Sequence, residues 1–256
     1  MSPERLQLPL PFPYAPDYDA RDFLPDSSNQ EAMAWLETDW PDQRLALWGP
    51  AGCGKSHLLH IWTERTGARM LIGQTLTERT LSDLADMPRN SALALDDADT
   101  ARPDPLLLHV LNTARDRGFR VILAGRTAPS RWPVRLPDLS SRLRAITAVE
   151  IRPPSDDLLA ALLMHLLSDR QLHVAQPVQD WMLTHLPRSP LVLRRAVVRL
   201  DRTSLAVGKP ITRSFAARVL ADGDFAGSDN DEVSIADSDE VSMSGGDPSS
   251  QPPCFL

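Results

Sequence analysis

The residues from Gly49 to Ser56 constrain this chain more than any other part of it. Their order, Gly-Pro-Ala-Gly-Cys-Gly-Lys-Ser, fits the pattern G-x-x-x-x-G-K-[ST] at every position. In such a loop the backbone N–H groups surround phosphate oxygens, the lysine reaches the β- and γ-phosphates, and the hydroxyl binds Mg²⁺. The sequence therefore predicts a nucleotide site, with Ser56 as a metal ligand, formed by Gly49, Pro50, Ala51, Gly52, Cys53, Gly54, Lys55, Ser56 and His57.

The choice of lysine at position 55 supports this interpretation. The chain has 27 basic residues, and only Lys55 and Lys209 are lysines. A compact ammonium fits between two phosphates, where the planar fork of a guanidinium does not. We therefore attribute Lys55 to the chemistry of phosphate binding.

The residues on both sides of the loop predict the structural context that it needs. Arg44 to Trp48 is a short apolar run, typical of a buried strand. After Ser56, the apolar residues Leu58, Leu59, Ile61 and Trp62 follow the spacing of an amphipathic helix. Strand, glycine-rich loop and helix thus occur in the order typical of an α/β nucleotide-binding fold.

Length and composition favour one α/β domain with a smaller second part. The chain has 256 residues, 42% of them hydrophobic, enough to bury a core. No apolar run approaches the roughly 18 residues of a membrane span, and the first residues lack the pattern of a signal peptide. Two cysteines indicate neither a disulfide framework nor a zinc site. We expect a cytoplasmic protein with no membrane partner.

The acidic charge is concentrated at the C-terminus. The formal net charge is −7, but residues 222–256 contain nine acidic residues and no lysine or arginine. Residues 1–221 therefore carry 27 basic and 25 acidic residues, a formal charge of +2. Because the acidic segment has too few apolar residues to offset the entropy of ordering, we predict a disordered tail over 222–256.

Further strand-like runs predict the rest of a parallel sheet. Ala68 to Ile72 and Val121 to Ala124 are strand candidates, and Asp104 to Arg117 is a helix candidate between them. Ala92 to Leu95 is an apolar run that ends in Asp96 and Asp97. In phosphoryl-transfer sites such carboxylates bind Mg²⁺ and orient the attacking water. We predict Asp96 as a metal ligand and Asp97 as a catalytic residue.

The segment from Leu136 to Leu143, Leu-Pro-Asp-Leu-Ser-Ser-Arg-Leu, completes a recognisable order of motifs. With the phosphate loop, the Asp-Asp strand and the Gly-Lys-Ser-His-Leu-Leu-His run from Gly54 to His60, it resembles the DnaA family of AAA+ ATPases, and within it the short Hda-type regulators. The resemblance covers about residues 7 to 220. It implies a P-loop AAA+ parallel-sheet core with a C-terminal helical lid subdomain, and it implies ATP or ADP with Mg²⁺ as cofactors.

The resemblance divides the chain into four segments. Residues 1–14 are an extended clamp-binding segment, and residues 15–153 are the α/β nucleotide-binding subdomain. Residues 154–221 form the helical lid, which Ser155 begins as an N-cap before Asp156 and Asp157. Residues 222–256 are the acidic tail.

By the resemblance, Arg142 is an arginine finger that enters a nucleotide held by a neighbouring protein. An arginine supplied in this way neutralises charge in the transition state. The alternative for Arg142 is an ordinary surface ion pair.

The resemblance also assigns residues to the binding of the adenine base and to the lid. Phe23 and Leu24 would be apolar walls for adenine and Asn29 a polar reader, with a structural staple as the alternative. The lid arginine of the family falls on Leu191 here, so that Arg194 or Arg195 would replace it. At residues 125–127, Gly-Arg-Thr stands where the family has Gly-Asp-Arg. These departures concern the chain's own ATP hydrolysis more than its nucleotide binding.

The N-terminal segment resembles the peptide with which clients bind the replicative sliding clamp. Its residues are Gln-Leu-Pro-Leu-Pro-Phe, from Gln7 to Phe12. The prolines stiffen an extended segment, so less entropy is lost when it binds. The predicted contacts are Gln7, Leu8, Leu10 and Phe12, and the alternative is a merely proline-rich start.

These features lead to one expected function and two alternatives. The expected function is regulatory: the chain binds the sliding clamp, contacts DNA through it, and promotes hydrolysis of ATP bound to DnaA. One alternative is a self-contained ATPase that loads or remodels a DNA-bound replication complex. The other is a nucleotide-gated adaptor that only recruits partners. The sequence leaves the working nucleotide and a homo-oligomer open.

Overall fold

The structure, a computed structural model, describes residues 18, 20 and 23–221. The clamp-like segment Gln7 to Phe12 and the acidic tail lie outside the described residues, so their predicted roles stay predictions.

Five parallel strands form the sheet, in the order β2-β3-β4-β1-β5. The central strands are almost continuous apolar runs because both faces of a parallel sheet are covered. The strands are Arg44–Trp48 (β1), Arg69–Ile72 (β2), Ala92–Asp96 (β3), Arg120–Gly125 (β4) and Thr147–Glu150 (β5). The sheet confirms the predicted parallel α/β fold.

Nine helices accompany the sheet in the described part of the chain. They are Gln30–Leu36 (α1), Lys55–Thr66 (α2), Glu78–Asp86 (α3), Asp104–Arg117 (α4), Pro137–Ala145 (α5), Asp156–Asp169 (α6), Gln176–His185 (α7), Pro190–Val207 (α8) and Arg213–Ala221 (α9). Over residues 23–221, no helix is both long and apolar enough to cross a membrane.

Alternating side chains of β4 divide the core into two layers. Val121 and Leu123 face a cluster that also contains Leu107 and Leu111 of α4. Ile122 and Ala124 face the other layer, with residues of α1 and α2. Successive strand residues point to opposite faces, so one strand serves both layers.

The helices α6 to α9 have a core of their own, which includes Leu163, Met182, Val197 and Phe215. As predicted, Ser155 is the N-cap of α6, where its hydroxyl accepts the Leu158 N–H at 3.0 Å. The C-terminal part is thus helical, while the exact division at residues 153 and 154 stays a prediction.

Candidate nucleotide site

The phosphate loop joins the end of β1 to the start of α2 at the carboxyl edge of the sheet. Gly52 and Gly54 have φ angles of 72° and 102°, in the left-handed region that favours glycine. The Gly49 N–H donates to the Gly125 carbonyl at 3.3 Å, which fixes the loop to the end of β4. The loop therefore has a backbone conformation that its glycines permit.

Lys55 lies inside the curve of this loop. The residue is 6% exposed, and its Nζ donates to the carbonyls of Gly49 and Pro50, each at 2.9 Å. Lys55 is also the first residue of α2, where the helix dipole favours anions. The ammonium and the helix terminus together make the loop positive.

Cys53 is a buried neighbour of this ammonium, with 3.8 Å between Sγ and the Lys55 Nζ. Burial raises the pKa of the Cys53 thiol, although the Lys55 charge acts in the opposite direction. The thiol is therefore neutral at neutral pH, and Cys53 packs as an apolar residue of the loop.

The two predicted carboxylates lie at the end of β3, on the same edge. Asp96 is the last residue of β3, and its Oδ1 accepts the Asp97 N–H at 2.9 Å. Asp97 has a φ of 45° and precedes a short 3₁₀ helix over Ala98–Thr100. In the sheet, only β4 lies between β3 and β1. Asp96, at the end of β3, and the phosphate loop, after β1, therefore lie at the same carboxyl edge, one strand apart.

The donor chemistry of this edge fits Mg²⁺ held by a nucleotide. Among the described residues, no group of three or more His, Cys, Asp or Glu side chains forms a metal cluster. Mg²⁺ in nucleotide sites is bound through one or two protein oxygens plus phosphates and waters. The Ser56 hydroxyl and the Asp96 carboxylate are such donors, and their role stays a prediction.

Asp99 lies against the end of β4, a position that the sequence did not predict. Its Oδ2 accepts the Arg126 N–H at 2.8 Å, while its Oδ1 is buried without a hydrogen-bond partner among the described residues. The sequence does show a third carboxylate close after Asp96 and Asp97. Its spacing, however, does not predict that this side chain accepts the Arg126 N–H.

The helical part meets the phosphate loop at Gly52. A Cβ placed on Gly52 would lie 2.3 Å from the Ser189 Oγ and 3.9 Å from the Leu191 Cβ. Residue 191, where the family has its lid arginine, therefore adjoins the loop as a leucine. Arg194 lies one turn further along α8, partly buried, and its nucleotide contact stays a prediction.

The segment before α1 lies between the loop and the helical part. The Phe23 ring meets the His57 ring edge-on at 5.2 Å, and one of its carbons would lie 3.3 Å from a Cβ on Gly54. Leu24 packs against the core of the helical part. The structure thus brings Phe23 to the phosphate loop, while Leu24 packs into the helical part, and their role as walls for adenine stays a prediction.

Asn29 is 3% exposed, and both ends of its amide are engaged. Its Nδ2 donates to the Leu24 carbonyl at 3.0 Å, and its Oδ1 accepts the Asp26 N–H at 2.9 Å. These hydrogen bonds fix the segment before α1, and reading of adenine by Asn29 stays a prediction.

Arg142 lies far from the chain's own phosphate loop. It belongs to α5, which leads into the amino end of β5, and Thr147 at that end is aligned with Leu45 of β1. The phosphate loop follows the opposite end of β1. Because five strand residues span about 16 Å, the two features lie at opposite edges of one sheet.

The surroundings of Arg142 are charged. Its Nε pairs with the Asp138 Oδ1 at 3.1 Å, one helical turn earlier, and its side chain is 17% exposed. Burial lowers the pKa of the nearby Arg44, and the charges of Arg115 and Arg142 act in the same direction, while Asp42 opposes them. Several guanidiniums therefore share the amino edge of the sheet.

The strand order, the phosphate loop after β1 and the two aspartates at the end of β3 together give a parallel α/β fold with a P-loop at the carboxyl edge of its sheet. No family model matches the sequence. Among curated proteins, the chain is similar to an uncharacterised protein of Haemophilus influenzae, with 23% identity over 227 residues, 84% of this chain and 98% of that protein.

Solved structures show the same fold. Domain III of DnaA from Thermotoga maritima is similar with a TM-score of 0.66 and 19% identity, over 82% of this chain and 98% of that one. A DnaA bound to AMPPCP and single-stranded DNA is similar with a TM-score of 0.58 and 19% identity, over 72% of this chain and 64% of that one. The Holliday junction branch migration motor RuvB from Thermotoga maritima is similar with a TM-score of 0.59 and 14% identity, over 75% of this chain and 68% of that one. The chain thus has the fold of DnaA domain III.

Proposed function

We propose that this protein is a DnaA-related regulatory AAA+ protein of the Hda type. It binds an adenine nucleotide with Mg²⁺ in the loop around Lys55, and it binds the sliding clamp through Gln7 to Phe12. On clamp-loaded DNA it promotes hydrolysis of the ATP bound to DnaA. The result is an initiator with ADP and fewer repeated initiations.

One observation carries the proposal: Arg142 and the phosphate loop lie at opposite edges of the sheet. An arginine at the amino edge cannot reach a nucleotide at the carboxyl edge of the same chain. This position supports the proposal that Arg142 acts on a nucleotide held by another protein, and DnaA is the partner that the motif order favours. An arginine supplied between proteins accelerates hydrolysis by about 10³- to 10⁵-fold.

The ion pair with Asp138 is compatible with this role. It joins residues one helical turn apart, and the Asp138 side chain is 56% exposed. Pairs of this kind contribute only about 0.3 to 0.5 kcal/mol. A nucleotide phosphate, with more charge than one carboxylate, can therefore replace Asp138 as the partner of Arg142.

In the mechanism, the residues of this chain have separate tasks. Lys55 and the loop N–H groups hold the chain's own nucleotide, which Ser56 and Asp96 help to bind through Mg²⁺. Mg²⁺ would supply charge neutralisation between phosphates. Asp97 is the candidate for orienting water in the chain's own site, and Arg142 acts on the partner's site.

The self-contained ATPase is separated from the regulator by turnover of the protein alone. We expect slow ATP hydrolysis by the isolated chain, without stimulation by single-stranded DNA. Fast hydrolysis that single-stranded DNA stimulates and Lys55→Ala abolishes would favour the loader or remodeller.

Clamp binding is tested by size-exclusion chromatography with purified sliding clamp. We expect co-elution of the wild type and loss of co-elution for Gln7→Ala and for Leu10→Ala with Phe12→Ala. Clamp binding that survives these changes would contradict the role of the segment. Co-elution without any effect on DnaA-bound ATP would favour the adaptor.

A further inference from the structure

An apolar cavity lies between α1 and α2. Its volume is about 130 Å³, and the side chains that line it are mostly apolar, among them Met33 of α1 and Ile61 of α2. Glu37 and Arg65 also line the cavity, but they form an ion pair with each other. The cavity is therefore suited to an uncharged, apolar group.

The size of the cavity indicates which apolar group fits. An apolar cavity of about 150 Å³ binds benzene, so this slightly smaller one can hold a single aromatic ring. The cavity also extends away from the phosphate loop, because Arg65 lies ten positions after Lys55 in α2, about 15 Å along the helix. A ring that enters beside Arg65 therefore lies apart from the phosphates.

One wall of the cavity has a polar group that needs a partner. Trp62 lines the cavity and is 1% exposed, and its indole N–H has no hydrogen-bond partner among the described residues. A buried N–H is normally paired, and leaving it unpaired is destabilising. An extended proline-rich segment makes no hydrogen bonds of its own, so its carbonyls can accept such an N–H. These properties favour an aromatic ring carried by a proline-rich segment.

The chain contains such a segment within reach of the cavity. Ala20 lines the cavity, and the Tyr18 ring stacks on the His60 ring of α2 at 4.2 Å, so the described chain begins beside this helix. Phe12, with a proline on each side, precedes Ala20 by eight positions, which span up to about 26 to 29 Å when extended. The length of the chain therefore allows the Phe12 ring to reach the cavity.

We propose that Phe12 docks into the cavity between α1 and α2 when the sliding clamp is absent. Because Phe12 is also a predicted clamp contact, docking and clamp binding exclude each other, and the docked form lowers the apparent affinity for the clamp. The proposal rests on the clamp-binding part of the proposed function, and it needs neither the nucleotide nor Arg142.

Docking is tested by disulfide formation in the full chain with Cys254→Ser. Pro13→Cys places a thiol next to Phe12, and Met33→Cys places one in the wall of the cavity. Because a disulfide needs Cα atoms within about 7 Å of each other, we expect this pair to join within one chain under mild oxidation, and purified clamp to slow the reaction. Mass spectrometry identifies the joined peptides. The matched control pairs Pro13→Cys with Met164→Cys, at an exposed position of α6, and should form little disulfide.

Two further substitutions in the same background identify the ring that docks. Phe12→Ala should slow formation of the disulfide about tenfold or more, because the buried ring is lost. Tyr14→Ala, at the other aromatic residue before Tyr18, should leave the rate unchanged. The reverse pattern would assign the cavity to Tyr14 and would overturn the proposal.

The competition with the clamp is tested by filling the cavity. Ile61→Trp puts a larger side chain into the space that Phe12 would take. If the docked form makes up about 70 to 90% of the free protein, this variant should bind the clamp about 3- to 10-fold more tightly than the wild type in a calorimetric titration. Met33→Trp fills the cavity from the other helix and replaces Ile61→Trp if that variant does not fold. Met164→Trp is the control and should bind as the wild type does.

The outcomes separate this proposal from the proposed function. Equal disulfide formation in the cavity pair and in the control pair would overturn the docking, and so would disulfide-linked dimers in place of a bond within one chain. Filled variants that bind the clamp no more tightly than the wild type would overturn the competition. If the disulfide forms but neither the wild type nor a filled variant binds the clamp, the docking stands and the clamp-binding part of the proposed function fails.

Discussion

The Ser189 hydroxyl lies directly over Gly52 of the phosphate loop, where a Cβ on Gly52 would approach its Oγ to 2.3 Å. Ser189 is the residue before α8, so the helical part of the protein touches the loop at Gly52. This contact couples the position of the helices to the shape of the nucleotide site.

Gly52→Ala tests that coupling. Gly52 has a φ of 72° and a close neighbour, whereas Gly67 has a φ of 67° and no atom within 4 Å of an added Cβ. Both substitutions carry the backbone cost of about 1 kcal/mol. Only Gly52→Ala should also displace Ser189, so we expect a larger fall in thermal stability and weaker ATP binding than for Gly67→Ala.

A second substitution, at Ser189, tests the same contact by restoring stability. Ser189→Gly removes the atoms that an alanine at position 52 would meet, so the double variant should regain much of the lost stability. If Gly52→Ala and Gly67→Ala have equal effects on thermal stability and ATP binding, the contact between the loop and Ser189 contributes to neither.

Removal of the loop ammonium should weaken nucleotide binding selectively. We expect Lys55→Ala to lower ATP affinity by about 10- to 100-fold or more, because a charged hydrogen bond to phosphate is lost. Lys209→Ala, at the only other lysine of the chain, removes an exposed charge and should have no effect. Fluorescence titration with a labelled ATP measures both. Equal affinities for Lys55→Ala and the wild type would place the nucleotide elsewhere.

Parts of this site could be predicted because their signals are local. The loop pattern, the apolar run of β1 and the two carboxylates after β3 each lie within a few residues. The run Arg44 to Trp48 was predicted with the bounds of β1, and Asp104 to Arg117 with the bounds of α4.

The missed features depend on contacts between distant residues or on weaker signals. The hydrogen bond from Arg126 to Asp99 joins residues 27 positions apart, and spacing does not predict it. The helix α3 was missed because its capping box uses Thr77 and Thr80 instead of the usual Glu or Gln at the second position. The engagement of the Asn29 amide with Leu24 and Asp26 also follows from the folded segment.

Reaction of Cys53 with thiol reagents should be slow. Burial raises the pKa of this thiol above the ordinary value, so at pH 8 little of the reactive thiolate is present. A Cys254→Ser background leaves Cys53 as the only cysteine. We expect the labelling rate, followed with a chromogenic disulfide, to lie well below that of a free thiol and to fall further with ATP.

The same shift predicts a pH dependence of stability. A thiol with a raised pKa in the folded state stabilises the fold fully below the ordinary thiol pKa, and this contribution is lost as the pH rises above it. Cys53→Ala should therefore flatten the fall of stability at alkaline pH. Fast labelling at pH 8 would contradict the burial of Cys53.

Asp26 should contribute stability at neutral pH that is lost in acid. Burial alone would raise its pKa, but hydrogen bonds with Ser28 and Ser155 outweigh this, so the pKa of Asp26 lies below the ordinary value. The Ser155 hydroxyl lies 3.1 Å from the Asp26 Oδ1 and joins the segment before α1 to the start of α6. A lowered pKa stabilises the fold above the ordinary value and loses this effect as the pH falls.

Asp26→Ala should thus lower the free energy of unfolding at pH 7 more than at pH 3. Chemical denaturation at the two pH values measures the difference, with Asp86→Ala, an exposed position of α3, as the control. An equal effect of Asp26→Ala at both pH values would show that the charge of the Asp26 carboxylate does not stabilise the fold.

The proposed function requires Arg142 to act on the nucleotide of DnaA. The direct measurement is the rate at which DnaA-bound ATP becomes ADP on clamp-loaded DNA, with wild type, Arg142→Ala and Arg144→Ala. Arg144 is an exposed arginine of the same helix. We predict that wild type and Arg144→Ala accelerate hydrolysis and that Arg142→Ala does not, while its thermal stability stays within about 0.5 kcal/mol of the wild type. An unchanged rate with the wild type would contradict the proposed function, and full acceleration by Arg142→Ala would contradict the role of Arg142.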